Sequence, residues 1–254
     1  MPTAEIVKEI RPIVQVWGGK FMTSPELAEI EAEKGLGQHS LYLRGRSAIL
    51  GDPSPQVARA LFGIFPPWLF DFALPAATAA ISAPDAVRAY LDANARWSRS
   101  HLADIKEPER LAELLFRLTH AADPGGLALF AGWQTADRPE DPYERVGLAL
   151  MILREYRGGI HFTALRAVGL TIPEAVVADP EGGRERLLRT AWAPHDTDEL
   201  IAAANKKPDL TERWQQAEDL TDARMTELLD SALDEPERED LLWLLRGLDA
   251  AAKP

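Results

Sequence analysis

The sequence predicts an all-α, multi-helix globular protein, and three observations carry that prediction. Helix-start signals, a small polar residue followed by proline, recur along the chain. Apolar residues return at spacings of three and four, and long period-2 alternation is missing. The 254 residues are 46% hydrophobic and 27% charged, an ordinary balance for a chain that buries a sizeable core.

The elements follow in order. A first helix is expected over residues 3–17. Ser24-Pro25-Glu26 starts a second over 24–34, and Gly35-Leu36-Gly37 reads as a helix end before a third over 38–48. Asp52-Pro53-Ser54-Pro55 introduces 54–63, and Ser82-Ala83-Pro84-Asp85 introduces 84–103. Leu111, Leu114, Leu115 and Leu118 make one apolar stripe within 108–122. Asp141-Pro142 opens 142–157, with Val146, Ala149, Leu150 and Leu153 on one face. The pair Gly158-Gly159 is expected to end that helix and turn the chain sharply, so that a new helix spans 160–168. Thr171-Ile172-Pro173-Glu174 matches a capping box ahead of 172–178. Further helices are expected over 184–192, 196–204, 211–232 and 237–251, the last behind Asp234-Glu235-Pro236-Glu237 and carrying Leu241, Leu242, Leu244, Leu245 and Leu248. Segment 62–81 stands apart: Pro66-Pro67 argues against a regular helix, and Phe62, Phe65, Trp68, Phe70 and Phe72 either plug a core or wall an apolar pocket. Three regions result: 1–140, a helical part with this aromatic segment; 141–204, the helix-turn-helix-like part; and 209–254, acidic helices behind a linker near 205–210.

Composition excludes several function classes. The chain has no cysteine, so thiolate metal sites, disulfides and cysteine nucleophiles are ruled out. No run approaches the ~20 apolar residues of a membrane-spanning helix, and the first residues lack a basic and an apolar region. No membrane association and a cytoplasmic location are therefore expected. Nucleotide-loop, hydrolase and zinc-protease signatures are absent, the five histidines form no helical pair, and no metal or cofactor is expected. Net charge is −12; residues 209–240 hold twelve acidic groups against three basic ones, read as a solvated helix face. That charge disfavours nucleic acid as a partner.

Two arginine-bearing stretches are candidates for chemistry. Tyr42-Leu43-Arg44-Gly45-Arg46 supplies Arg44 and Arg46. Leu153-Arg154-Glu155-Tyr156-Arg157-Gly158-Gly159-Ile160-His161 supplies Arg154, Arg157 and His161. Guanidinium forks recognise carboxylate or phosphate, so these five residues, with Phe65 and Trp68 from the aromatic segment, are candidate ligand-binding residues for a small anionic or aromatic ligand. The alternative is that the arginines tie helices together. Residues 161–175 have the form helix, glycine turn, capped helix, as in a helix-turn-helix, but 172–182 offer no arginine, asparagine or glutamine to read bases.

These blocks, with Ala60-Leu61-Phe62-Gly63-Ile64-Phe65-Pro66-Pro67 and Ala73-Leu74-Pro75, resemble a family of uncharacterised actinobacterial helix-turn-helix proteins. Its specific signature is Leu-Arg-Glu-x-Arg-Gly-Asp-x-His, and Gly159 stands here where the family has Asp. The resemblance implies MarR-like winged-helix elements, with the wing reduced or absent because only Asn205–Pro208 precede Asp209-Leu210-Thr211. It implies a small-ligand-binding or regulatory protein of winged-helix ancestry, a transcriptional regulator being one form of it, with a homodimer formed through the C-terminal helices. An enzyme using an arginine and histidine site beside the aromatic segment is the alternative.

Overall fold

Most of the proline-marked start signals open a helix in the computed structural model, which describes residues 1–251. The Ser24, Ser54, Ser82, Asp141 and Thr171 side chains each accept a backbone N–H of the helix they precede, satisfying donors that the first turn leaves free. The helices are α1 (Thr3–Trp17), α2 (Pro25–Glu33), α3 (Ser40–Ala48), α4 (Pro55–Phe62), α5 (Pro67–Ala80), α6 (Ala83–His101), α7 (Pro108–Ala121), α8 (Ala128–Gln134), α9 (Pro142–Ala167), α10 (Ile172–Ala178), α11 (Gly183–Arg189), α12 (Pro194–Ala204), α13 (Leu210–Ala232) and α14 (Glu235–Ala251). A 3-10 turn covers Lys20–Thr23. No strand occurs among the described residues, and five residues join α12 to α13, so no β-hairpin wing is formed there.

The architecture is a large helical body that carries a small three-helix unit. In the body, α9 is the central element, packed by α6, α7, α13 and α1, while α14 closes over α1 and α7. Its core is one cluster running from Ile6 and Trp17 through Trp97, Leu115 and Leu150 to Leu245. Burial of this apolar surface is the main favourable term, at roughly 25 cal/mol per Å² removed from water. The far end of α9 enters a second, smaller cluster of Ala164, Leu165, Val168, Leu170, Ile172, Ala175 and Ala217, which joins α9, α10 and α13, while α11 and α12 pack on α10 and on each other. A third cluster joins α3, α4, α5 and α8 through Leu43, Phe62, Phe70, Leu74 and Leu129.

The structure departs from the sequence expectation in four places. Helix α9 runs unbroken through Gly158 and Gly159, because neither glycine adopts a positive φ and the helix is buried on several sides. Segment 62–81 contains a fourteen-residue helix: Pro67 sits in the first turn, where a missing N–H costs nothing, and Pro75 is tolerated inside. The acidic segment is not simply a solvated face, since Glu218 and Asp222 are buried against α1 and α9. The leucine stripe of α14 is internal core, with Leu241, Leu242, Leu244, Leu245 and Leu248 all buried. It is therefore not an open surface for a second copy. Helix α8 has no clear signal in the sequence.

Candidate functional site

The three expected ligand residues of α9, Arg154, Arg157 and His161, face α1 and α13, and because the helix is continuous a different set of residues shares the opposite face. Residues 155, 158, 159, 162 and 166 recur at helical spacing along one face. That face fronts a cavity of about 340 Å³, with Leu61 of α4, Leu127 to Phe130 around the start of α8, and Ile172 of α10 opposite. Residues 157 and 161 point the other way, to α13, and Arg154 points to α1.

At the base of the cavity, Arg46 Nε and Nη2 donate to the two Glu155 oxygens at 2.6 and 2.8 Å. The remaining Arg46 amino group donates to the Tyr42 hydroxyl at 3.2 Å, and the guanidinium lies over the Phe62 ring at 4.4 Å. Burial works to raise the Glu155 carboxyl, but the charge and hydrogen bonds of Arg46 outweigh it and hold the group below its ordinary value. Burial opposes the charge of Arg46 too, yet Glu155 raises the guanidinium above its ordinary range. The base is thus a neutralised, fully occupied ion pair. The cation at this cavity that has no carboxylate partner among the described residues is Arg166, exposed on the last turns of α9 beside Thr163.

The glycine pair makes the space. A Cβ on Gly159 would come within 2.8 Å of the Leu127 side chain, so α9 and the loop before α8 approach closely there. A Cβ on Gly158 would meet no atom within 4 Å, so that glycine leaves volume open. The cavity walls are otherwise mainly apolar, from Leu61, Leu129, Phe130, Phe162 and Ile172.

On the opposite face, Arg157 donates to Glu218 at 2.7 Å, Arg11 reaches Glu218 and Asp222 at 3.2 and 3.1 Å, and His161 Nδ1 faces the Thr221 hydroxyl at 3.1 Å. Burial pushes the Arg157 guanidinium and the His161 imidazole below their ordinary values, and pushes the Asp222 carboxyl up. This cluster joins α1, α9 and α13. Arg44 is elsewhere again: it is fully buried, donating to the Gly51 and Ile81 carbonyls and pairing with Asp52 at 2.6 Å. Arg154 donates to the Gln15 carbonyl at 3.3 Å. Phe65 packs edge-on against Tyr42 and Phe70, and Trp68 is half exposed on α5; neither lines the cavity. Of the seven sequence candidates, only Arg46 does so. Glu155, Gly158, Gly159, Phe162, Thr163 and Arg166 were missed as a set, although their spacing would have grouped them on a helix not broken at the glycines.

Beyond the cavity, α9 turns into α10 at 92° through residues 168–171. Gly169 takes a left-handed φ of 76°, and the Leu170 N–H returns to the Leu165 carbonyl at 2.8 Å, which closes the helix end. The same device ends α11 without a glycine: Ala191 has a φ of 69°, and the Trp192 N–H reaches the Leu187 carbonyl at 3.2 Å. Four residues, 190–193, then lead into α12, and α10, α11 and α12 pack on one another as a compact three-helix unit. The model of a helix-turn-helix family matches residues 7–253. The chain belongs to that family. Neither a curated protein nor a solved structure matches it. In this helix-turn-helix protein, the exposed face of α12 presents His195, Asp198 and Glu199, and Asp198 is paired with Arg184 of α11 at 2.8 Å. No cluster of histidine and carboxylate side chains able to hold a metal occurs among the described residues, and none of their helices alone is long and apolar enough to cross a membrane.

Proposed function

We propose that this helix-turn-helix protein is a ligand-binding regulator in which a small molecule seated on α9 acts on the three-helix unit. The observation that carries this reading is the cavity of about 340 Å³ between α9, α4 and α8, with Ile172 of α10 in its wall. A ligand there touches the body and the first helix of the unit together, so any difference in fit between two placements of the unit becomes a population shift. The apolar walls call for an aromatic or aliphatic body. The unpaired Arg166 at the rim calls for an anionic group, while the Arg46–Glu155 pair is already self-satisfied.

Direct reading of DNA is not part of this proposal. The helix after the glycine turn, α10, has no arginine, asparagine or glutamine for base edges, α12 is acidic on its exposed face, and the chain carries −12, which opposes phosphate approach. This reading includes winged-helix ancestry and a homodimer, and the dimer would use a surface other than the buried leucine stripe of α14.

The test uses 8-anilinonaphthalene-1-sulfonate, an aromatic anion, as a fluorescent probe of the folded protein. Saturable binding is expected, weakened about fivefold or more in Arg166→Gln by loss of a charge-assisted hydrogen bond. It is expected to be abolished in Gly158→Leu, which fills the open volume. Equal binding by both variants and the parent would overturn the cavity as the site. A duplex-DNA titration against salt is expected to be weak and shallow; a steep salt slope would overturn the exclusion of DNA.

A further inference from the structure

A second concave site lies on the other side of the body, and it differs from the rest of this acidic chain in its charge. The outer face of α7, the loop before α9, the first turn of α9 and the C-terminal end of α13 enclose a cleft of about 540 Å³. Three guanidiniums and an imidazole line it: Arg117 and His120 of α7, Arg138 of the loop, and Arg145 of the first turn of α9. The single carboxylate in the lining, Glu113, is engaged by Arg110 at 3.2 Å. Counting Glu113 and taking His120 as neutral, the lining is +2 in a chain of −12.

What distinguishes Arg138 and Arg145 is how they are held. Most arginines here meet a carboxylate, as Arg46, Arg96, Arg110 and Arg157 do. Arg138 and Arg145 instead stand over the ring of one buried residue, Phe116, with guanidinium carbons 4.3 and 6.0 Å from its centroid. Neither has a carboxylate or carbonyl partner among the described residues. A guanidinium fixed by a ring face keeps its N–H donors free while losing part of its freedom to move. Two such groups over one ring, beside a third that is anchored by Glu237 and the Ala232 carbonyl, make a preorganised multidentate donor set.

We propose that this cleft is an anion-binding site for a small phosphorylated molecule, with Arg138 and Arg145 as the phosphate-binding residues and Arg117 and His120 as flanking donors. Several donors converging from α7 and α9 suit a multiply charged phosphoryl group better than a lone carboxylate, because each added charge-assisted hydrogen bond needs its own acceptor oxygen. The concave shape favours a small molecule over nucleic acid, whose extended backbone would meet the acidic surroundings as well. The site is separate from the cavity on α9 and does not depend on it.

The probe is sodium pyrophosphate, titrated calorimetrically into the full chain at low ionic strength. Saturable one-to-one binding is expected, weakened about tenfold in Arg138→Gln and in Arg145→Gln, and unchanged in Arg166→Gln at the other cavity. Arg138 is exposed, so its variant tests the site even if Arg145→Gln loses the fold. Absence of pyrophosphate binding would overturn the proposal. So would binding that both arginine variants retain. A short DNA duplex bound more tightly than pyrophosphate, with the same two variants weakening it, would also overturn it and assign the cleft to a nucleic-acid backbone.

Discussion

The body and the three-helix unit solve the same folding problem with different means. In the body, long helices such as α7 and α9 bury continuous apolar stripes, and stability rests on area removed from water. In the unit, α10 and α11 have seven residues each, and α11 fully buries only Leu187. So few residues per helix cannot hold a helix by packing alone. The unit is held by terminal devices instead: the Thr171–Glu174 capping box, the left-handed ends at Gly169 and Ala191, and the Lys207 ammonium bridging the Gly169 carbonyl and Glu174. One side chain latches it to the body from outside α9, the Trp192 indole N–H donating to the Ile64 carbonyl at 2.7 Å. The lesson is that the unit is poised to open or shift at lower free energy than the body. A unit that a ligand on α9 must move needs that property. Native-state hydrogen exchange checks it: amides of α10 to α12 are expected to exchange well before those of α7 and the first half of α9, and equal protection would erase the contrast.

The largest effect is expected in the body. Glu155→Gln leaves the buried Arg46 guanidinium without its counter-charge and should cost about 3–5 kcal/mol in denaturant unfolding. The double variant Arg46→Met with Glu155→Leu is expected to recover most of that loss, because two apolar groups remove the desolvation burden together. A double variant as unstable as the single one would mean that the pair supports the cavity by geometry that no apolar residues replace.

A smaller and local effect separates the regions. Trp192→Phe removes the donor to the Ile64 carbonyl and is expected to cost about 1–2 kcal/mol, seen as faster exchange in α11 and α12 with little change in α7. Uniformly faster exchange would show that the unit and the body unfold as one. Smaller still, Ala191→Gly relieves a left-handed alanine and should raise the free energy of opening of the unit by up to about 1 kcal/mol.

The same contrast explains what the sequence disclosed. Apolar periodicity and start signals located most helices of the body and the capping box of α10 to within a few residues, because these are local properties. The turn between α9 and α10 was legible for the same reason. The misreadings at Gly158-Gly159 and Pro66-Pro67 arose where tertiary context overrides a local rule: a buried helix carries glycines that propensity alone would take as an end, and a proline at the first turn starts a helix that it would break elsewhere. Among the site residues, Arg46 was found by its chemistry. The grouping of Arg157 and His161 with it failed because a false break at residue 158 changes which residues share a face. Glu218 and Asp222 were hidden in a charge run whose buried side is set by α1 and α9, and the α9 partner of Glu218, Arg157, is 61 residues away along the chain.

The most delicate prediction concerns the cluster that holds α13 to the body just before the unit begins. Burial depresses the His161 imidazole; Glu218 opposes this and Arg157 adds to it, with Asp179 and Arg186 acting from the unit. The folded protein therefore binds this proton less readily than the unfolded chain does. The stability tied to neutral His161 is present above the unfolded value of 6.5 and declines as pH falls from there toward the depressed folded value. Asp222 runs oppositely: its carboxyl is raised by burial, so its contribution is present at low pH and is lost as pH rises through the folded value. His161→Gln keeps an amide able to reach the Thr221 hydroxyl and removes the titration, so the unfolding midpoint of the variant is expected to be flatter than that of the parent between pH 7 and the region just below 6.5. Parallel profiles for the two proteins would place the pH response elsewhere and leave α13 held by its arginine pairs alone.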